Sequence, residues 1–283
     1  MIQEGTAAAA PARGQVAKAA RVSFGRYAAY MYPVATIGGI LAIWEALSRA
    51  GYFPSYLLPA PSAVVVRFGH MSGFIVQQSL VTVEEIVLGF LLSLVVGVPL
   101  AIGLVSWRTF NQSVYPLLIG SQVVPKVAIA PLFIVWFGFG LTSRLLVAFL
   151  VAFFPIVINT VVGLKSIEDE KLYVARAAGA SSWQLFWLVR LPNALPSLFA
   201  GMKVSIALAV VGAIVGEFVA SDSGIGRVLL QANGNMDTAL VFAGVFALIV
   251  IGVVLFVLME ALERWALPWH VSHRTQVVQS ASA

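Results

Sequence analysis

The 283-residue sequence contains no cysteine, only 3 histidines and only 10% charged residues. Without cysteine the chain can form no disulfide, no thiolate metal site and no cysteine nucleophile. The sequence also has no Gly-Lys dipeptide, which the phosphate-binding loop of P-loop ATPases requires. His270 and His273 are three apart but have no cysteine or acidic pair beside them, so they predict no metal site. No catalytic residue is expected.

Apolar residues dominate instead, at 60% of the chain and a mean hydropathy of +0.95. A helix needs about 20 residues to cross a bilayer core, and the apolar runs reach that length. They have helical or no periodicity rather than the alternation of a barrel strand. The sequence therefore predicts an all-α membrane protein with six transmembrane helices, at residues 31–47, 86–105, 114–135, 145–164, 198–219 and 240–259.

The basic residues predict the orientation in the membrane. With the N-terminus inside, eleven of the 17 lysines and arginines fall in inner segments and four in outer segments. Residues 1–30 are therefore expected to form a basic, flexible cytoplasmic tail, residues 31–265 the six-helix domain, and residues 266–283 a cytoplasmic C-terminal tail. This asymmetry explains the net charge of +5 and indicates no nucleic-acid partner.

The inner segment 165–197 carries helix start and stop signals. Ser166 precedes Asp169 by three residues, the spacing of a capping box, and Gly179 is a favourable helix stop. These signals predict a first short helix over residues 167–178.

A second capping box, Ser181 with Gln184, precedes a predicted helix over residues 182–191, which Pro192 is expected to end. Its aromatic residues lie on one helical face, at Trp183, Phe186 and Trp187. Two interpretations follow: an amphipathic hairpin in the membrane interface, or a knob that docks another protein.

The spacing in this segment resembles the "EAA" loop of bacterial ABC-importer permeases. That pattern is Glu-Ala-Ala, three residues, Gly, nine residues, then an aliphatic residue, any residue, Leu and Pro. Val174 and Ala175 occupy the Ala-Ala positions here, and Tyr173 replaces the glutamate. After Gly179 the nine-residue interval leads to Val189, Arg190, Leu191 and Pro192.

Further segments look like the nitrate, sulfonate and taurine branch of those permeases, at residues 57–64, 89–104, 124–140, 216–229 and 262–269. The resemblance implies the type I ABC importer permease fold in a bacterial cytoplasmic membrane, with both termini cytoplasmic. It implies a second permease copy, two ATPase subunits that bind the ATP and Mg, and an extracytoplasmic solute-binding protein. The implied solute is a small anion such as nitrate, sulfonate, taurine or bicarbonate. The implied ATPase-docking residues are Tyr173, Val174, Ala175, Gly179, Ala180, Ser181, Ser182, Val189, Leu191 and Pro192.

Polar residues within the apolar runs suggest a translocation pathway. Lys126 follows Pro125 in the third predicted span, and a cation there is costly unless it faces water, substrate or a partner. A role in passing an anion and a structural pairing with a neighbouring helix both remain open for Lys126. The candidate pathway residues are Ser121, Gln122, Lys126 and Glu217.

Other polar residues have structural interpretations. We expect Glu84 and Glu85 to be solvated. The Lys203 side chain is expected to extend along the helix so that its ammonium group reaches the membrane interface. Gly212 and Gly216 are expected to mark close helix packing. An alternative function is an ion-coupled secondary transporter that uses Lys126 and Glu217, although no second Pro-Lys feature supports an internal repeat. A membrane scaffold without transport would leave the capped inner segment unexplained.

Overall fold

The computed structural model describes the backbone of residues 13–268 and the side chains of residues 31–268. Every regular element in this described range is helical. The helices are α1 (Arg13–Arg49), α2 (Pro61–His70), α3 (Ser72–Ser106), α4 (Arg108–Gln122), α5 (Lys126–Phe137), α6 (Leu141–Lys165), α7 (Asp169–Ala177), α8 (Ser182–Leu185), a π-helical turn (Phe186–Arg190), α9 (Leu191–Ala220), α10 (Ile225–Gly234) and α11 (Thr238–Ala266). The histidines of the C-terminal tail lie outside the described residues.

The chain divides into two compact units between Val66 and Arg67. The first contains α1, whose residues from Met31 to Arg49 are apolar enough to cross a bilayer. Within this unit the Glu45 carboxylate accepts hydrogen bonds from the Ser62 backbone N–H at 3.0 Å and the Ser62 hydroxyl at 2.7 Å. These bonds satisfy an otherwise free donor in the first turn of α2.

The second unit is built around α6, which packs against both α9 and α3, and these two helices also contact each other. Small residues allow the helix backbones to approach closely. A Cβ added to Gly212 of α9 would lie 2.7 Å from Ala148 Cα of α6, and one added to Gly216 would lie 3.0 Å from Arg144 Cα. The expectation that these glycines mark close packing is confirmed. Because neither glycine has a side chain, the two membrane helices can approach closely at these positions.

Hydroxyl groups add hydrogen bonds between the same three helices. Ser205 of α9 donates to the Ala152 carbonyl of α6 at 2.7 Å, and Ser93 of α3 donates to the Phe149 carbonyl of α6 at 3.1 Å. Both serines are fully buried. In a bilayer such bonds contribute about 0.6 kcal/mol each on average, so the packing rather than the hydrogen bonds dominates.

Five helical segments are long and apolar enough to span a membrane, and α4 with α5 forms a sixth only if the bent pair is counted as one span. The third predicted span is therefore two helices that bend by 101° around residues 123–125. Pro125 explains the break, because it has no N–H to continue the ladder and precedes the first residue of α5. Lys126 consequently starts a helix rather than occupying the middle of one.

The fifth span is longer than predicted. Residues from Ser182 to Ala220 form one helical run, so the expectation that Pro192 ends a separate short helix is wrong. The π-helical turn immediately before explains why. The Leu191 N–H bonds to the Phe186 carbonyl, five residues back, and this wider turn accommodates the proline in the first turn of α9.

Candidate functional site

Between α6 and α9 the chain turns at Gly179: α7 ends just before this glycine, and α8 begins just after it and continues through the π-helical turn into α9. We call residues 169–190 the hairpin. Gly179 has φ of +83°, a backbone conformation that costs other residues about 1–2 kcal/mol. Its N–H bonds to the Arg176 carbonyl at 2.9 Å, and the Ala180 N–H bonds to the Ala175 carbonyl at 3.0 Å. This pair of bonds is the Schellman arrangement, so the predicted helix stop at Gly179 is confirmed.

The two predicted capping boxes have different outcomes. The second is present, since the Gln184 N–H bonds to the Ser181 hydroxyl and the Ser181 N–H bonds to the Gln184 side chain at 2.8 Å. The first is absent, and α7 begins at Asp169 rather than at residue 167. Ser166 instead donates to the Gly163 carbonyl at 2.9 Å and accepts from the Asn193 amide at 3.0 Å. Tertiary contact with the start of α9 therefore replaces the local cap.

The hairpin exposes both charged residues, such as Asp169 and Arg176, and large apolar ones. Tyr173 and Val174 have exposed fractions of 68% and 70%, and Trp183 of 71%. The Trp183 and Trp187 rings are in contact at 5.4 Å between centroids with an angle of 59° between their planes, so both lie on one face of the helix that begins at Ser182. Of the predicted docking residues, the structure exposes Tyr173, Val174, Gly179, Ser181 and Ser182 and leaves partly buried Ala175, Ala180, Val189, Leu191 and Pro192.

Three predicted pathway residues meet at the break between α4 and α5. The Lys126 ammonium donates to the Gln122 carbonyl at 3.4 Å and lies 4.7 Å from the Phe154 ring centroid. Ser121, beside Gln122, donates to the Leu118 carbonyl at 2.8 Å. Among the ion pairs of residues 31–268, none includes Lys126. This cation is half-buried and is held by a carbonyl dipole and an aromatic face.

Glu217 lies elsewhere, in a cluster that joins α3, α9 and the start of α10. Its carboxylate is fully buried and accepts from the Thr82 hydroxyl at 2.6 Å and from the Gly226 N–H. A Cβ at Gly226 would lie 2.8 Å from the same carboxylate, so only glycine lets the backbone wrap around it. The N-terminus of α10 further stabilises the negative charge. The geometry is that of a fully satisfied carboxylate.

A buried ion pair lies beside Glu217, and the sequence did not predict it. Glu85 is fully buried and pairs with Arg144, which is 8% exposed and also donates to the Ser221 hydroxyl at 2.8 Å. The expectation of a solvated Glu85 is therefore wrong. We call Thr82, Glu85, Arg144, Glu217 and Ser221 the buried polar cluster.

The sequence does contain a signal for this cluster. Residues of α3 that are polar or small recur at helical spacing, at Gln78, Thr82, Glu85, Gly89 and Ser93. Such a stripe within an apolar helix marks the face that packs on other helices rather than on lipid. The Lys203 ammonium, which the sequence predicts to reach the interface, pairs with Glu263 near the C-terminal end of α11 at 2.5 Å.

Lys126 and Glu217 do not contact each other. Lys126 contacts the Gln122 carbonyl and the Phe154 ring, whereas Glu217 accepts hydrogen bonds from Thr82 and Gly226. Across the described part of the chain, no group of three or more histidine, cysteine or acidic side chains could hold a metal ion.

Comparison with known proteins assigns the family. Residues 89–267 match the family described as the binding-protein-dependent transport system inner membrane component. The chain belongs to this family of ABC importer permeases. It is thus a multi-pass inner-membrane subunit that transports a small solute.

Two relatives and one solved structure are informative. The riboflavin transport system permease protein RibX of Chloroflexus aurantiacus is 42% identical over 82% of this chain and 88% of its own length. The putative aliphatic sulfonates transport permease protein SsuC of Bacillus subtilis is 34% identical over 83% of this chain and 86% of its own. An inward-facing structure of the MetNI methionine ABC transporter has a TM-score of 0.60 at 19% identity, covering 69% of this chain and 96% of that chain. The likeness to MetNI confirms the expected type I importer fold.

Proposed function

We propose that this chain forms half of the translocation pathway of an ABC importer and that the hairpin couples it to a separate ATPase. The observation that carries the coupling role is the hairpin geometry. A glycine corner with positive φ and a complete capping box join the short helix α7 to the start of the helical run that continues into α9, with exposed apolar residues at Tyr173 and Val174. A corner of defined backbone geometry that exposes apolar side chains suits docking to a partner protein better than loose contact with lipid.

The proposed assembly contains two permease copies, two ATPase subunits that bind ATP and Mg, and an extracytoplasmic solute-binding protein. The absence of a Gly-Lys dipeptide from the sequence supports a separate ATPase. In this proposal the hairpin, and with it both termini, faces the cytoplasm. The excess of basic residues in the inner segments supports that orientation.

For the solute, we propose a small anion such as nitrate, a sulfonate, taurine or bicarbonate. Lys126 supports this choice, because it supplies a positive charge at the break between α4 and α5 without a carboxylate partner among the described residues. The name of the sulfonate relative supports it as well. A second candidate is a nitrogen heterocycle, which the name and higher identity of the riboflavin relative favour.

Replacing Lys126 with glutamine tests both the solute class and the mechanism. The wild-type chain, reconstituted in liposomes with its ATPase and binding protein, should import an aliphatic sulfonate only when ATP is supplied. The Lys126→Gln variant should import it about tenfold more slowly, since losing one charge contact at about 1.4 kcal/mol changes a rate tenfold. Lys126→Arg, which keeps the charge, is the matched control.

Three outcomes would contradict these proposals in distinguishable ways. Uptake of riboflavin but not of the sulfonate, unaffected by Lys126→Gln, would establish the heterocycle instead of the anion. Uptake driven by an ion gradient without ATP would establish the secondary transporter. Equal sulfonate uptake by the wild-type, Gln and Arg forms would exclude Lys126 from the pathway.

A further inference from the structure

A cavity of about 400 Å³ opens at the turn between α3 and α4, beside the C-terminal end of α6. Two cationic side chains line it, Arg108 from the first residue of α4 and Lys165 from the last residue of α6. Three uncharged polar residues and two apolar residues complete the lining, and it includes no acidic residue. The remaining lining residues are Leu104, Val105, Ser106, Asn111 and Gln112.

Neither cation is neutralised by a neighbour. Between residues 31 and 268, Arg108 and Lys165 take part in no ion pair within 4.0 Å. Glu168, the first acidic residue after Lys165, is already paired with Lys171 at 3.0 Å. The Lys165 ammonium lies 5.6 Å from the Tyr115 ring centroid, which orients it without cancelling its charge. Two positive charges therefore face one cavity without a protein anion.

The turn that carries Arg108 adds to the positive potential. Trp107 precedes α4 in an extended conformation and makes no side-chain cap, so the first N–H groups of α4 have no capping side chain. Asn111 donates to the Leu104 carbonyl at 2.8 Å, which fixes the shape of the turn. Trp107 itself is 66% exposed and packs edge-on against Phe110. An exposed tryptophan beside basic residues at a helix end is typical of the membrane interface.

We propose that this cavity binds the headgroup phosphate of an anionic phospholipid. The two cations and the α4 N-terminus recognise the phosphate, and Trp107 lies at the depth where the headgroup meets the acyl chains. Basic pockets between membrane helices bind anionic headgroups in this way. The cavity is at the hairpin end of α6. The assignment to the cytoplasmic leaflet and the effect on the hairpin rest on the proposed function, whereas the binding of the phosphate does not.

The position suggests what the lipid does. Lys165 ends α6 four residues before α7 begins, and neighbouring Ser166 bonds to Asn193 of α9. A phosphate between Arg108 and Lys165 joins the α3–α4 turn to the base of the hairpin. An anionic lipid thereby stiffens the base through which the hairpin transmits motion.

Native mass spectrometry of the full-length chain in detergent tests the site, with phosphatidylglycerol and phosphatidylcholine as probes. The wild-type chain should bind phosphatidylglycerol more tightly than phosphatidylcholine. Arg108→Gln and Lys165→Gln should each weaken phosphatidylglycerol binding about fivefold, and together about 25-fold, because each basic residue near the surface contributes a factor of about five. Arg108→Lys with Lys165→Arg should retain binding. Arg227→Gln, which removes an exposed cation from α10, should have no effect.

Several results would overturn the proposal. One is undiminished phosphatidylglycerol binding by the double glutamine variant, and another is equal binding of phosphatidylcholine. Competition by inorganic phosphate as effective as that by phosphatidylglycerol would identify a free-anion site instead of a lipid site. The measurement uses the chain without ATPase or ATP, so its failure would be separate from any failure of the importer function.

Discussion

The Gly179→Val variant is expected to reach the membrane in normal amount but to lose ATP-driven uptake. Gly179 has φ of +83°, and no atom lies within 4 Å of a Cβ built on it. The substitution therefore acts through backbone conformation alone. A left-handed conformation costs an ordinary residue about 1–2 kcal/mol, and a β-branched side chain is especially unfavourable there. The corner should open, and the two helices of the hairpin should separate.

Three quantities should be measured for Gly179→Val: the amount of the chain in the membrane fraction, the amount of ATPase that co-purifies with it, and the solute taken up per ATP hydrolysed. We expect a normal amount of the chain in the membrane. We expect the solute taken up per ATP to fall at least about tenfold, since 1.4 kcal/mol corresponds to a factor of ten. Gly179→Asn is the matched control, because asparagine tolerates the left-handed conformation. Full coupling in the valine variant would show that the corner does not transmit motion.

Replacing Arg144 with methionine is expected to remove most of the folded protein. Arg144 is the partner of fully buried Glu85 and also donates to Ser221. Its loss leaves a carboxylate buried without a counter-charge, which costs about 3–5 kcal/mol. That cost is comparable to much of the stability of an ordinary domain. The yield of monodisperse protein on fluorescence-detected size exclusion, and its melting temperature, should both fall sharply.

A double variant separates the charge pair from general loss of packing. In Arg144→Met with Glu85→Met, no unpaired charge remains in the pair, so stability should recover most of the loss. Arg227→Met removes an exposed arginine and should be near neutral. Equal destabilisation by the single and double variants would mean that the charge pair itself is not what stabilises the fold.

Local signals in the sequence correctly predicted the features that depend on few neighbours. Apolar runs correctly place five of the six predicted spans, because bilayer thickness sets the length of a spanning helix, whereas the third predicted span is a bent pair of helices. The Gly179 corner and the Ser181 capping box depend on backbone geometry within a few residues, and both occur as predicted. The family resemblance, confirmed by the comparisons, rests on this segment and on further stretches between residues 57 and 269.

Features that depend on distant residues were not predictable in this way. Ser166 has a suitable capping spacing, yet its hydroxyl accepts from Asn193, 27 positions further along the chain. Glu85 looked solvated because it lies at the edge of an apolar run, but Arg144 of another helix pairs with it. Pro192 does not end its helix, since a π-helical turn in front of it absorbs the lost hydrogen bond. In each case a tertiary or non-standard hydrogen bond outweighs the local preference.

The most direct test of the coupling role is a disulfide crosslink between the hairpin and the ATPase. The native chain has no cysteine, so Ala180→Cys introduces a single thiol at the glycine corner. The partner ATPase receives one cysteine in its docking cleft, and the assembled importer is oxidised during ATP-driven uptake. We predict that a permease–ATPase crosslink forms and stops uptake, and that uptake resumes when the disulfide is reduced. A cysteine in place of the exposed Arg227 of α10 should form no crosslink. A fully active importer in which Ala180→Cys never crosslinks to the ATPase would contradict the coupling role of the hairpin.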